Sequence, residues 1–108
     1  MNTDFISLYF MGEKDLAQMS FNLFEQDVQA NLTTLESYFQ NQSCVEYAQL
    51  MHKWKPNFKM FGHKSLSLEI QRIETGLKDS LIMLSPNEHK KIVEDITKAL
   101  NLIKQNIN

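Results

Sequence analysis

His52 is followed by Lys53, by Lys55 at plus three, by Lys59 at plus seven and by Gly62 at plus ten. The stretch from Tyr47 to Leu68 that holds them has no acidic residue, and with Lys64 it carries four lysines. The whole chain of 108 residues has a formal net charge of −2, so the rest of the sequence is acidic on balance. A histidine among lysines in such a background is a place where an anion is expected. The chemistry available there is nucleophilic attack by the imidazole, with the ammonium groups as charge partners.

Helical geometry sets which way His52 points. At about 100° per residue, Tyr47, Met51, Trp54, Phe58 and Phe61 fall on one apolar arc, and His52 lies roughly 130° from its centre. The ring is therefore expected to face solvent. Ala48, Gln49, Lys55, Pro56 and Lys59 share its face, with the compact Ala48 and Pro56 one turn to each side. Pro56 has no amide hydrogen for the carbonyl of His52, a cost of about 3 kcal/mol that predicts a kink or a distorted turn. His63 lies just beyond the helix stop at Gly62, and His89 is expected to face solvent in the first turn of the last helix. No Glu-x-x-His pair suggests a bundle metal centre, and no glycine-rich loop offers a cradle for ATP.

The elements that must position these residues are helical. Three glycines and two prolines are too few for a many-turned β protein. A short helix is expected over Phe5 to Met11, stopped by Gly12. A helix of up to 28 residues begins at Glu13, with Leu16, Met19, Leu23, Phe24, Val28, Leu32, Leu35 and Phe39 as its apolar stripe. Ser43 is the candidate N-cap of the active helix, residues 43–61. A further helix carries Leu66, Ile70, Ile73 and Leu77, and an apolar loop, Ser80 to Leu84, packs down after it. Ser85-Pro86-Asn87-Glu88 is a capping box with proline at the first helical position. Ile92, Ile96, Ala99, Leu100, Ile103 and Ile107 are the stripe behind it. The expected fold is all-α: an antiparallel up-down four-helix bundle with a short extra N-terminal helix, one domain over residues 1–108.

The run Met51-His52-Lys53-Trp54-Lys55-Pro56-Asn57-Phe58-Lys59-Met60-Phe61-Gly62 resembles the active helix of histidine-containing phosphotransfer (HPt) domains. That family's motif is a histidine, a lysine three residues on, small residues, and a glycine near plus ten. Leu8 to Gly12, Leu23-Phe24 and the helix from Leu66 to Glu74 also fall where the family has equivalents, so the resemblance covers roughly residues 4 to 79. Pro56 departs from it, standing where the family commonly has glycine or another small residue. The resemblance implies a phosphocarrier of a two-component phosphorelay, not an enzyme in its own right. His52 would take a phosphoryl group from a receiver-domain aspartate and pass it to another receiver. Lys55 would stabilise the phosphoryl group, with Lys59 as a second charge partner. Ala48, Gln49, Pro56 and Gly62 would meet the receiver, Gly62 by permitting close approach. The chain itself would need no cofactor or metal, magnesium belonging to the partner. Those partners would be response regulators or hybrid histidine kinases.

The remaining features set bounds. One cysteine, Cys44, excludes an internal disulfide and suits a reducing compartment. The apolar run Phe5 to Met11 is too short for a membrane span and lacks the basic flank of a signal peptide. Basic residues cluster in one small patch, which argues against nucleic-acid binding. A cytoplasmic monomer is the expectation. Two other readings are open. One is a non-phosphorylated helical module that docks acidic partners. The other is the dimerising phosphoacceptor domain of a histidine kinase, which would have an acid after the histidine and a proline at plus five. Here Lys53 and, at plus four, Pro56 stand instead.

Overall fold

The capping box before the last helix forms as expected: the Ser85 hydroxyl accepts from the Glu88 amide, and the Glu88 carboxylate accepts from the Ser85 amide. In the computed structural model, which describes residues 4–108, five helices follow one another. They are α1 (Phe5–Phe10), α2 (Lys14–Gln40), α3 (Cys44–Met60), α4 (Lys64–Ser80) and α5 (Pro86–Ile107). No strand occurs among the described residues, and residues 1–3 of the expected single unit lie outside them. The protein is all-α. Helix α2 contacts α1, α3 and α5, while α4 contacts α3 and α5. The molecule measures 42 × 23 × 19 Å.

The turns between helices use left-handed residues. After α3, the Gly62 amide bonds to the Lys59 carbonyl and the His63 amide to the Phe58 carbonyl, with Gly62 at φ +87°. This is a Schellman stop, and glycine is the residue that adopts it without a Cβ clash. The same pattern ends α2, but there Gln42 takes the left-handed position at φ +56°. Ser43 stands at the N-cap position of α3 without a side-chain cap bond. His63, expected simply to follow the helix stop, caps α4: its Nδ1 accepts from the Leu66 amide at 3.3 Å.

Burial follows the helical stripes, with one exchange of face. Trp54, Tyr47, Phe21, Phe58 and Phe61 are the bulkiest fully buried side chains. Each aromatic removed from water contributes about 1.5–3 kcal/mol. In the first half of α2 the buried residues are Ala17, Phe21 and Phe24, whereas Leu16, Met19 and Leu23 are exposed. The expected stripe is therefore rotated there. Both sets recur at helical spacing, and the larger area of Phe21 goes inside, edge-on to Phe61 at 5.4 Å. Phe5 and Phe10 also pack on Phe61, each at 5.9 Å, which holds α1 beside the end of α3. The segment after α4 packs down only in part. Met83 and Leu84 lie against the core, while Leu81 and Ile82 stay exposed.

Candidate functional site

Helix α3 runs without a break through Pro56 and carries His52 at its middle. The His52 side chain is 66% exposed, as its position off the apolar arc requires. Pro56 and Gln49 are exposed on one flank of it, and Lys59 is exposed two turns further on. Lys55, Lys59 and Lys64 line one cavity of about 300 Å³ between α3 and α4, with Pro56 and Leu68 as its apolar part. Lys59, Gly62 and Lys64 border a second cavity, closed on the other side by Phe5, Leu8 and Tyr9 of α1. Gly62 is half-buried.

Ala48 does not belong to this surface. It is fully buried, on the flank of α3 that also carries Lys55, whose ammonium reaches Gln71 and Glu74 of α4. That flank is covered by α4, so the buried arc of α3 is wider than its large side chains alone indicate. Ala48 is therefore closed to any docking partner, contrary to its expected place on the contact surface.

A residue outside the lysine-rich stretch lies at the centre of the site. Glu74, on α4, is 3% exposed, and its Oε2 is 2.8 Å from His52 Nδ1. Lys55 Nζ donates to the other oxygen, Oε1, at 2.9 Å. Lys78, one turn along α4, donates to Oε2 at 2.7 Å. Burial alone would push the Glu74 carboxyl up, but hydrogen bonds from Lys78, Lys55 and His52 outweigh it and hold the group down at about 2. The site is therefore not free of carboxylates, contrary to what the acid-free stretch suggests. Packing of α4 on α3 places position 74 beside position 52, which local spacing along α3 cannot reveal. The available signal was on α4 itself: Gln71, Glu74 and Lys78 stand three and four residues apart, on one helical face.

The other lysines divide. Lys53 points to α2 and pairs with Asp27 at 3.1 Å, and Asp27 also accepts from Trp54 Nε1 at 3.2 Å. Lys53 thus ties α3 to α2 and lends its charge to Asp27. His89, expected in solvent, is buried between α2 and α3. Its Nδ1 is 2.9 Å from the Tyr47 hydroxyl, its Nε2 bonds to Glu36, and its ring stacks on Phe39 at 4.1 Å. The first turn of α5 is drawn inside because these partners satisfy both ring nitrogens.

No group of three or more His, Cys, Asp or Glu side chains among the described residues is placed to hold a metal ion. No described helix is long and apolar enough to cross a membrane. No family model, no curated protein and no solved structure matches the chain.

Proposed function

We propose that the protein is a phosphocarrier of the HPt type, receiving and releasing a phosphoryl group on His52. The observation that carries the reading is the exposed imidazole at the middle of α3, linked through one carboxylate to Lys55 and Lys78. A ring nitrogen attacks the phosphorus of a receiver's aspartyl phosphate. The N–P bond forms as the P–O bond breaks, and the electron pair leaves with the aspartate carboxylate. Lysines near the ring meet the charge on the transferred oxygens, with little other chemistry for this chain to supply. Magnesium belongs to the receiver, and the chain is a carrier with no kinase activity of its own.

In this reading α2, α3, α4 and α5 form an antiparallel up-down bundle and α1 covers one end of it. The receiver docks over Gln49, Pro56 and the exposed lysines, with Leu8 and Tyr9 of α1 at the margin near Gly62. The contact is of the small, transient class, about 1,200 Å² or less in total. A cytoplasmic monomer fits a carrier that must meet two partners in turn. The test is to mix the protein with phosphorylated receiver domains of its own genome and map the product. Acid-labile, base-stable phosphate on His52 supports the proposal. No transfer from any receiver refutes it and leaves a helical docking module as the reading.

A further inference from the structure

Ser67, near the start of α4, is only 6% exposed. Its hydroxyl makes no hydrogen bond among the described residues, yet no polar side-chain atom there is both sealed from solvent and without a partner. The oxygen therefore opens onto the cavity of about 300 Å³ that Ser67 helps to line. A buried hydroxyl that its own chain leaves unbonded is costly unless a group from outside meets it. Three lysines border the same cavity, and no carboxylate does. Lys55 is already held by Glu74 and Gln71. Lys59 and Lys64 pair with no carboxylate among the described residues. One small space between α3 and α4 thus holds two uncompensated ammonium groups and an idle hydroxyl, in a chain whose net charge is −2.

We propose that this cavity is a binding site for a small phosphate monoester with a short aliphatic stem, separate from the site at His52. A phosphate monoester carries nearly two negative charges at neutral pH, which match Lys59 and Lys64. Its terminal oxygens accept hydrogen bonds, and the two ammonium groups and the Ser67 hydroxyl can all donate them. A carboxylate brings one charge and would leave one ammonium unmatched. Pro56 and Leu68 offer the stem an apolar wall, and Leu68 is 61% exposed, so covering it removes further apolar area from water. No aromatic ring lines the cavity, so nothing there stacks on a nucleobase, and its volume is at the small end for ligand sites. Neither Ser67 nor Lys64 has a part in the phosphoryl step, so this site stands whether or not His52 accepts phosphate.

The experiment titrates the full chain with butyl phosphate, followed by calorimetry and by amide nitrogen-15 spectra. Saturable binding is expected, with the shifted amides gathered where α3 and α4 border the cavity. Inorganic phosphate lacks the stem and butyrate lacks a charge, so each should bind about tenfold more weakly or worse. Ser67→Ala removes a hydroxyl that has no partner in the fold, so the variant should fold and bind about tenfold more weakly. Lys64→Gln, at an exposed position, should weaken binding to a similar degree. Lys53→Gln should bind as the wild type does, because Lys53 pairs with Asp27 on the α2 side. Wild-type affinity in Ser67→Ala or Lys64→Gln overturns the site, and so does an absence of saturation. An equal loss in Lys53→Gln also overturns it, since attraction to charge alone would then explain the binding. Inorganic phosphate binding as tightly as butyl phosphate overturns the stem. Capture by phosphatidylcholine vesicles containing phosphatidate, without binding of butyl phosphate, overturns the small ligand in favour of a lipid headgroup.

Discussion

The Tyr47 hydroxyl donates to His89 Nδ1 at 2.9 Å, joining α3 to α5 inside the protein. The direction follows from the other nitrogen: Nε2 faces the Glu36 carboxylate and must be the one bearing hydrogen. Hydrogen bonds from Gln40 and His89 hold Glu36 below the usual carboxylate range. Burial pushes the Tyr47 hydroxyl up, so it remains a donor. His89→Leu leaves that buried hydroxyl without its partner, a loss of about 1–3 kcal/mol. We expect a lower thermal midpoint by calorimetry with unchanged chemistry at His52. An unchanged midpoint would mean that the Tyr47–His89 bond contributes nothing net.

Acid should act on Glu74 later than on an ordinary carboxylate. Its folded-state value is about 2, against 4.5 for the free group. The associated stability is present above about pH 4.5 and is lost as pH falls through about 2. A shift of this size corresponds to about 3 kcal/mol. Melting curves of wild type and Glu74→Gln should therefore converge over that window. Parallel curves throughout would contradict the assigned shift.

His52→Gln should abolish phosphoryl acceptance and leave the melt nearly unchanged, since the side chain is exposed and the glutamine amide keeps a donor for Glu74. Acceptance mapped to His63 or His89 instead would remove His52 from its role.

Lys55→Ala should slow transfer more than Lys59→Ala. Lys55 is one turn from His52 and shares Glu74 with it, whereas Lys59 is two turns away. Transfer kinetics with one fixed receiver decide the order, and equal rates for Lys55→Ala and wild type would exclude Lys55.

Two turn residues should respond in opposite directions. Gly62→Ala places a Cβ in the left-handed region and should cost about 1–2 kcal/mol. Gln42→Gly relieves the same strain after α2 and should gain up to about 1 kcal/mol, less the entropy of a freer unfolded chain. Denaturant midpoints measure both.

Local signals were legible where they act locally. The capping box at Ser85, the stop at Gly62 and the apolar arc of α3 each depend on residues within a few positions, and each stands as expected. The exposure of His52 followed from that arc. What the sequence concealed is set between helices. Leu16, Met19 and Leu23 compete with Ala17, Phe21 and Phe24 for the inner face of α2, and only the packing of Phe21 on Phe61 decides. Ala48 is covered because α4 lies on that flank. His89 goes inside because Tyr47 and Glu36 meet it from other helices. Glu74 was hidden for the same reason, twenty-two residues from the histidine it holds.

That spacing has a kinetic meaning. Every side chain of the proposed site proper, from His52 to Lys78, lies in the consecutive helices α3 and α4. Its hydrogen bonds to Glu74 span 22, 19 and 4 residues, whereas the bonds of His89 to Tyr47 and Glu36 span 42 and 53. Short loops close at lower entropic cost than long ones. During refolding the carboxylate should therefore meet its histidine before α5 docks, and pulse-labelled amides of α3 and α4 should gain protection ahead of those in α5.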